Sequence, residues 1–295
     1  MRRALFALLF VVSAATAAEP ITHSFLATGA ETAIFDASGK AVWKYPHSTR
    51  DGWVLENGNV LLALSKSKTY PHGAVVEVTR ENKVVFEFAG TQDEVNTVQL
   101  VGKDRYMLTE AGQKPRLLEV SKDGKIEVEV ALDAQTKDTH LQTRMARKLA
   151  NGNYLVPQLL DKVVREYDPK GKVVWEAKTP NMPFTAIRLE NGNTLVACTH
   201  GNLLVELDAK GKTVWELTND DLDGKPIKDA CGAQRLPNGN TVFTSYASKA
   251  KELRLIEVTK EKKVVWTYTD DRPAGIHEFQ ILDTNGKKLE GPAMR

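Results

Sequence analysis

Two arginines and a histidine occupy equivalent places in a repeated pattern, and together they could hold an anion. Arg50, Arg144 and His277 each lie five residues before an anchoring leucine, Leu55, Leu149 and Leu282. A guanidinium presents forked N–H donors to carboxylate, phosphate or sulfate oxygens. His140 stands four residues before Arg144. A histidine nucleophile or general base beside an arginine suits sulfuryl or phosphoryl transfer, where cations stabilise charge on the equatorial oxygens. His140 and His277 are the candidates for that role. The candidate ligand-binding set is Arg50, Arg144, His277, Asp51 and Glu278. A plainer reading stands beside it: the arginines pair with Asp51, Glu94 or Glu278, and the histidines are structural hydrogen-bonders next to turns.

Other chemistry is thinner. Cys198 and Cys231 form a candidate disulfide if the protein is exported, and two buried free thiols fit equally well. A zinc site from Cys198, His200 and Cys231 lacks any C-x-x-C spacing, so no metal site is expected. The run from Asn219 to Gly224 begins like a calcium loop, but its twelfth position is Ala230, where a bidentate Glu is needed. Weak calcium binding at Asp221 and Asp223 is the most it would support. No Gly-rich phosphate loop and no nucleophile elbow occurs.

The elements that must position these residues follow from a repeat. Lys40, Lys83, Lys125, Lys172, Lys212 and Lys263 each precede a large apolar residue by three. Those residues are Trp43, Phe86, Val128, Trp175, Trp215 and Trp266. Four places before each lysine is an Asp, Thr or Ser able to fold back onto the backbone. Copies roughly 40 to 50 residues apart mean one supersecondary unit repeated. In the unit from Phe184 to Leu217, Asn191-Gly192-Asn193 marks a hairpin between two β-prone runs, and two further turns give four strands. Asn57, Asn151 and Asn238 open the same turn elsewhere, while the unit from 94 to 132 is diverged.

Strand counting decides between a rod and a ring. Five units are complete. Residues 24–45 supply the last three strands of a sixth, and His277 to Leu282 supplies its missing first strand. The fold expected is therefore all-β, a six-bladed β-propeller of four-stranded antiparallel blades, closed by a composite blade that leaves no open sheet edge. The tryptophans would wedge between neighbouring blades.

The phrases Arg235-Leu-Pro-Asn-Gly-Asn-Thr-Val and Glu206-Leu-Asp-Ala-Lys-Gly-Lys-Thr-Val-Trp-Glu resemble the blades of secreted bacterial PQQ-like repeat proteins and arylsulfotransferase-like proteins. The resemblance spans nearly all of the chain after its apolar start. Its matching residues are turn and packing positions, so it speaks for fold more than function. Asp208, Gly211, Lys212 and Trp215 are similar to the tryptophan motif of quinoprotein dehydrogenases, with one residue fewer in the turn. Those enzymes carry eight blades and a vicinal disulfide under the quinone, whereas this pattern gives six blades and two distant cysteines. No PQQ and no other cofactor is expected. Arylsulfotransferases share the blade count and work through a histidine nucleophile with arginines, but their catalytic motif finds no residue-by-residue match here.

Residues 1–18 read as a secretory signal peptide, with Arg2 and Arg3, an apolar run from Ala4 to Val12, and Ala15-Thr16-Ala17. Residues 19–295 then form one propeller domain, periplasmic or secreted, monomeric, with no membrane span after cleavage. The net charge of +2 is the remainder of 40 basic and 38 acidic residues, with no basic stripe, so nucleic acid is not a partner. The expected function is binding of a small, possibly anionic ligand or an envelope protein at the channel mouth, without established catalysis. The alternatives are an arylsulfotransferase-like transferase or hydrolase of anionic groups, and an envelope scaffold.

Overall fold

A computed structural model describes residues 20–291 and 293–295. The signal-peptide reading falls outside these residues. Five blades follow in chain order, each an antiparallel meander of four strands. Blade 1 comprises Thr49–Val54, Val60–Leu64, Ala74–Val78 and Val84–Ala89. Blade 2 comprises Glu94–Val101, Arg105–Ala111, Arg116–Ser121 and Ile126–Ala131. Blade 3 begins with the short strand Arg147–Lys148, blade 4 with Pro183–Arg188 and blade 5 with Ala233–Arg235. Blade 6 is composite. Ile276–Thr284 pairs with His23–Gly29, which continues into Thr32–Phe35 and Ala41–Tyr45. The six blades form a closed ring, and this is a six-bladed β-propeller. A two-residue strand, Lys287–Lys288, adds a fifth member to blade 6 that the repeat does not foreshadow.

Burial explains the sequence pattern. The second strand of blade 1, Val60–Leu64, is buried along its whole length. Its alternate residues face opposite neighbours. Val60, Leu62 and Leu64 pack with Leu26, Ile34 and Trp43 of blade 6, while Leu61 and Ala63 pack with Val98, Tyr106 and Leu108 of blade 2. Inner strands are therefore unbroken apolar runs. Outer strands such as Val84–Ala89 bury only one face. Six such apolar clusters, one at each blade junction, make up the core of the ring.

The repeated polar residues lock the blades. Asp36, Asp168 and Asp208 each accept the backbone N–H of the lysine four positions on, at 2.9–3.0 Å. The indole N–H of Trp43 donates across the junction to the Arg80 carbonyl at 3.0 Å. Trp175 and Trp215 donate in the same way to Ala209 and Lys260, both at 2.9 Å. The second Asn of each Asn-Gly-Asn turn donates to a third-strand glutamate, as Asn193 does to Glu206 at 2.7 Å. Blade 2 lacks that Asn, and Arg105 holds its glutamate, Glu119, at 2.7 Å instead. Gln99, Gln234 and Gln280 of inner strands accept the backbone N–H of Lys148, Ile281 and Val54 on the next blade, each at 2.8 Å. Inner-edge donors are thus satisfied without a further strand.

Candidate functional site

The first strands of the blades share a defect that gathers the candidate residues. Pairing in blade 1 skips from Thr49 to Asp51, leaving Arg50 as an extra residue. The same skip leaves out Asn96 in blade 2, Phe184 in blade 4 and His277 in blade 6. A β-bulge of this kind bends its strand and re-aims one side chain. In blade 3 the corresponding stretch precedes the first strand, where the Ala146 N–H folds back onto the Arg144 carbonyl at 2.6 Å. Bulged residues from separate blades therefore meet at one mouth of the channel.

The contacts run in a chain around that mouth. The Arg50 guanidinium lies 3.2 Å from Glu94 Oε1. His140 Nδ1 lies 3.1 Å from both Glu94 oxygens. His277 Nδ1 sits 3.4 Å from the Arg50 carbonyl. The His277 ring stands edge-on to Phe184, with centroids 4.8 Å apart, and Tyr246 flanks it at 5.2 Å. The Arg144 guanidinium lies 5.9 Å from the Phe184 ring centre. A cavity of about 120 Å³ opens here, walled by His140, Arg144, Phe184, Asp229, Tyr246 and His277. A wider depression of about 400 Å³ lies off the axis, near Gly112, Thr136 and Gln142, and carries no buried charge. The smaller cavity is the candidate because charged groups converge on it.

Arg144 is the unusual group. It is 2% exposed, yet it forms no ion pair among the described residues. Among the described residues its guanidinium makes one hydrogen bond, donated to the Thr143 carbonyl at 2.8 Å, and its Nε has no partner. Burial, then the nearby Arg50 charge, lower its pKa to about 9, so it remains a cation at neutral pH. The Arg50 Nε and both amide atoms of Asn96 are likewise buried without partners. Burial pushes the His277 pKa down to about 3, with Arg144 and Arg50 adding to the shift, so the ring is neutral. Burial would raise Glu94, but the His140 hydrogen bond and the Arg50 charge outweigh it and hold Glu94 at about 2.

A second layer lies deeper along the same strands. Asp51 accepts from Arg147 at 2.8 Å, from Arg295 at 2.6 Å and from the Thr97 hydroxyl at 2.8 Å. Trp53 stands between the two guanidiniums, with ring-centre distances of 5.1 Å to Arg147 and 4.0 Å to Arg295. Burial would raise the Asp51 pKa, but Arg147 and Arg295 keep it lowered. Glu278 accepts from Thr185 at 2.9 Å, and burial raises its pKa. Arg295 also donates to the Phe279 and Gly52 carbonyls and fills the axis beneath the mouth.

The structure brings Arg50, Arg144, His140 and His277 together. Asp51 and Glu278 point into the deeper layer, and the arginine partner at the mouth is Glu94. Asn96, Tyr246, Asp229, Arg147 and Arg295 are additions that the repeat alignment missed. Counting five residues back from Leu100 in blade 2 gives Val95, one short of Asn96, because that blade lacks the usual turn. Arg147, Gln234 and Gln280 do carry a signal, being polar at a repeat position held elsewhere by apolar residues.

The disulfide candidate is corrected. Cys198 and Cys231 are both free and buried. Cys231 Sγ faces the Thr199 hydroxyl at 3.7 Å, and strand alternation sends the adjacent Cys198 to the other side, into the blade 3–blade 4 core. Burial raises the pKa of Cys198 to about 12 and that of Cys231 further still. No group of three His, Cys, Asp or Glu side chains among the described residues could hold a metal. The residues read as the start of a calcium loop form a short 3-10 turn, in which Asp221 caps Thr218 and pairs with Lys262 at 2.7 Å.

Known proteins place the chain by fold. A family model described as Mal s 1 allergenic protein-like matches residues 35–254. No curated protein matches the chain. A protein of unknown function from Bacteroides caccae is similar at 24% identity, over 88% of this chain and 98% of its own, with a TM-score of 0.77. Virginiamycin B lyase from Staphylococcus aureus is similar at 12% identity, over 84% of each chain, with a TM-score of 0.59. A catalytically inactive variant of that lyase, with quinupristin, is similar at 12% identity over 89% of this chain and 90% of its own, with a TM-score of 0.60. At these identities the likeness is one of fold.

Proposed function

The chain belongs to the Mal s 1 allergenic protein-like family, and from that premise we propose that it binds a small anion at the Arg144 mouth of its channel. One observation carries the reading: a buried guanidinium with no carboxylate of its own faces a cavity. A buried charge without a partner is costly, and a bound anion supplies one. We take the protein to be exported, periplasmic or secreted, on the strength of its first 18 residues. Among the described residues no helix is long and apolar enough to cross a membrane.

The test is a thermal-shift series with sulfate, phosphate, carboxylates and aryl sulfates. An anion at about 100 times its Kd stabilises by roughly 2.7 kcal/mol. Arg144→Met keeps the volume and removes the charge. The shift should vanish in that variant while its melting temperature without anion stays measurable. A shift that survives in Arg144→Met, or no shift with any anion, overturns the reading.

A second reading is group transfer or hydrolysis at the same mouth. It is favoured by the Glu94–His140 contact, since a carboxylate on Nδ1 orients an imidazole as a general base. The lyase named above is an enzyme on a similar fold, which makes turnover worth assaying. Unchanged turnover in His140→Ala would sink this second reading.

A further inference from the structure

We propose that the mouth selects a singly charged oxyanion on a compact apolar body, a monocarboxylate or a sulfate monoester, over a doubly charged anion. The inference rests on the anion-binding reading above and narrows its ligand class.

Charge balance is the first argument. Arg50 is already matched by Glu94, which also takes the exposed Lys66 at 3.2 Å. His277 is neutral, so it offers a hydrogen bond rather than a charge. That leaves Arg144 as the buried cation awaiting a partner. One carboxylate lines the cavity and another stands behind its wall. Glu94 stands beside Arg50, and Asp229 lines the cavity while accepting the His200 N–H at 2.9 Å. Asp138, which caps the turn carrying His140, adds a third negative charge at the rim. His140, His200, Cys231 and Tyr246 complete the titratable groups on the walls. One negative charge on the ligand completes Arg144. A second would face Asp229 across the cavity, with Glu94 already engaged by Arg50 and Lys66, and like charges repel.

Shape is the second argument. Leu141, Leu159, Phe184 and Tyr246 supply apolar wall beside the guanidinium. A cavity of about 120 Å³ is slightly smaller than the ~150 Å³ engineered cavity that accepts benzene. The oxyanion and the near edge of one ring, or a short branched chain, fit inside, and the remainder lies in the open mouth.

Phenyl sulfate and phenyl phosphate separate charge from shape, because they are close in size and differ in charge at pH 8. Calorimetric titration at pH 8 should show phenyl sulfate or benzoate binding on the order of tenfold more tightly than phenyl phosphate. Benzoate against phenyl sulfate tells carboxylate from sulfate. At pH 5 phenyl phosphate carries mainly one charge, while phenyl sulfate keeps the single charge it has at pH 8. The ratio between them should therefore shrink. Asp229→Asn, or Asp138→Asn if the first variant unfolds, should shrink it at pH 8 as well. Equal or tighter binding of phenyl phosphate at pH 8, or a ratio unmoved in the folded variant, overturns the selectivity. Binding by none of the three compounds, nor by inorganic anions, overturns the anion-binding reading itself.

Discussion

The Asp51 carboxylate and the Arg295 guanidinium meet at 2.6 Å, although 244 positions separate them in the chain. Both side chains are fully buried, and Arg147 shares the same carboxylate. The contact lies one residue along the first strand from Arg50, in the layer beneath the candidate mouth.

Removing that carboxylate charge leaves two buried guanidiniums short of a partner. Asp51→Asn is expected to cost roughly 3–5 kcal/mol, as breaking one side of a buried ion pair does. Urea denaturation of the two proteins measures it. A loss under about 1 kcal/mol would mean that this carboxylate is not what holds the two guanidiniums in place.

Acid should weaken the fold in two stages. His277 has a folded pKa near 3 against an ordinary value of 6.5. Below 6.5 the unfolded chain binds the proton and the folded protein does not, so stability is full above 6.5 and declines toward pH 3. The slope from one proton is at most about 1.4 kcal/mol per pH unit. Glu94, at about 2 against 4.5, contributes above 4.5 and loses its share as pH falls toward 2. His277→Gln should flatten the decline between pH 6.5 and 4.5 and leave below 4.5 only the share that Glu94 loses. Melting temperatures across that range decide it, and an unchanged profile contradicts the neutral buried ring.

Gly275 passes against the Tyr246 backbone. A Cβ there would lie 1.7 Å from the Tyr246 carbonyl oxygen, so the chain has to move. Gly275→Ala is expected to destabilise by roughly 1–3 kcal/mol and to displace Tyr246 from the cavity wall. Anion affinity should drop with it. Retained affinity would show that Tyr246 contributes nothing to binding.

Both thiols should be silent in the native protein. They are buried and their pKa values are raised, so thiolate is scarce at neutral pH. A thiol reagent without reductant should label neither cysteine when folded and both in denaturant. Failure to label in denaturant would reveal a disulfide and refute the free-thiol geometry.

The fold was legible because its markers are local. Asp168, four residues before Lys172, makes its turn with its own side chain, and Asn191-Gly192-Asn193 makes a hairpin within three residues. Such signals do not depend on what lies across the molecule. The turn motifs that resemble PQQ-like repeat proteins specify the propeller. The family matched by the chain is nonetheless the Mal s 1 allergenic protein-like one, since turn and packing residues do not report the chemistry at the axis.

The candidate site was legible only in part. Repeat alignment put Arg50, Arg144 and His277 on one ring, because equivalent positions in a closed array converge. It assigned Asp51 and Glu278 to the same site, where a single step along a strand turns a side chain to the next layer. Glu94 was visible only as one of three acids, and Asn96 was hidden by the irregular turn of blade 2.

By itself, then, the sequence determined six blades, their order, the composite closure and the ring of first strands that carries the cations. Only the tertiary structure decided which carboxylate each arginine keeps, that Arg144 keeps none, that Arg295 closes one side of the axis, and that the two cysteines face different spaces. Repeats encode local turns and packing, which are read a few residues at a time. Charge pairing at a shared axis joins side chains from every blade, and it is settled by distances of a few ångströms that no spacing along the chain records.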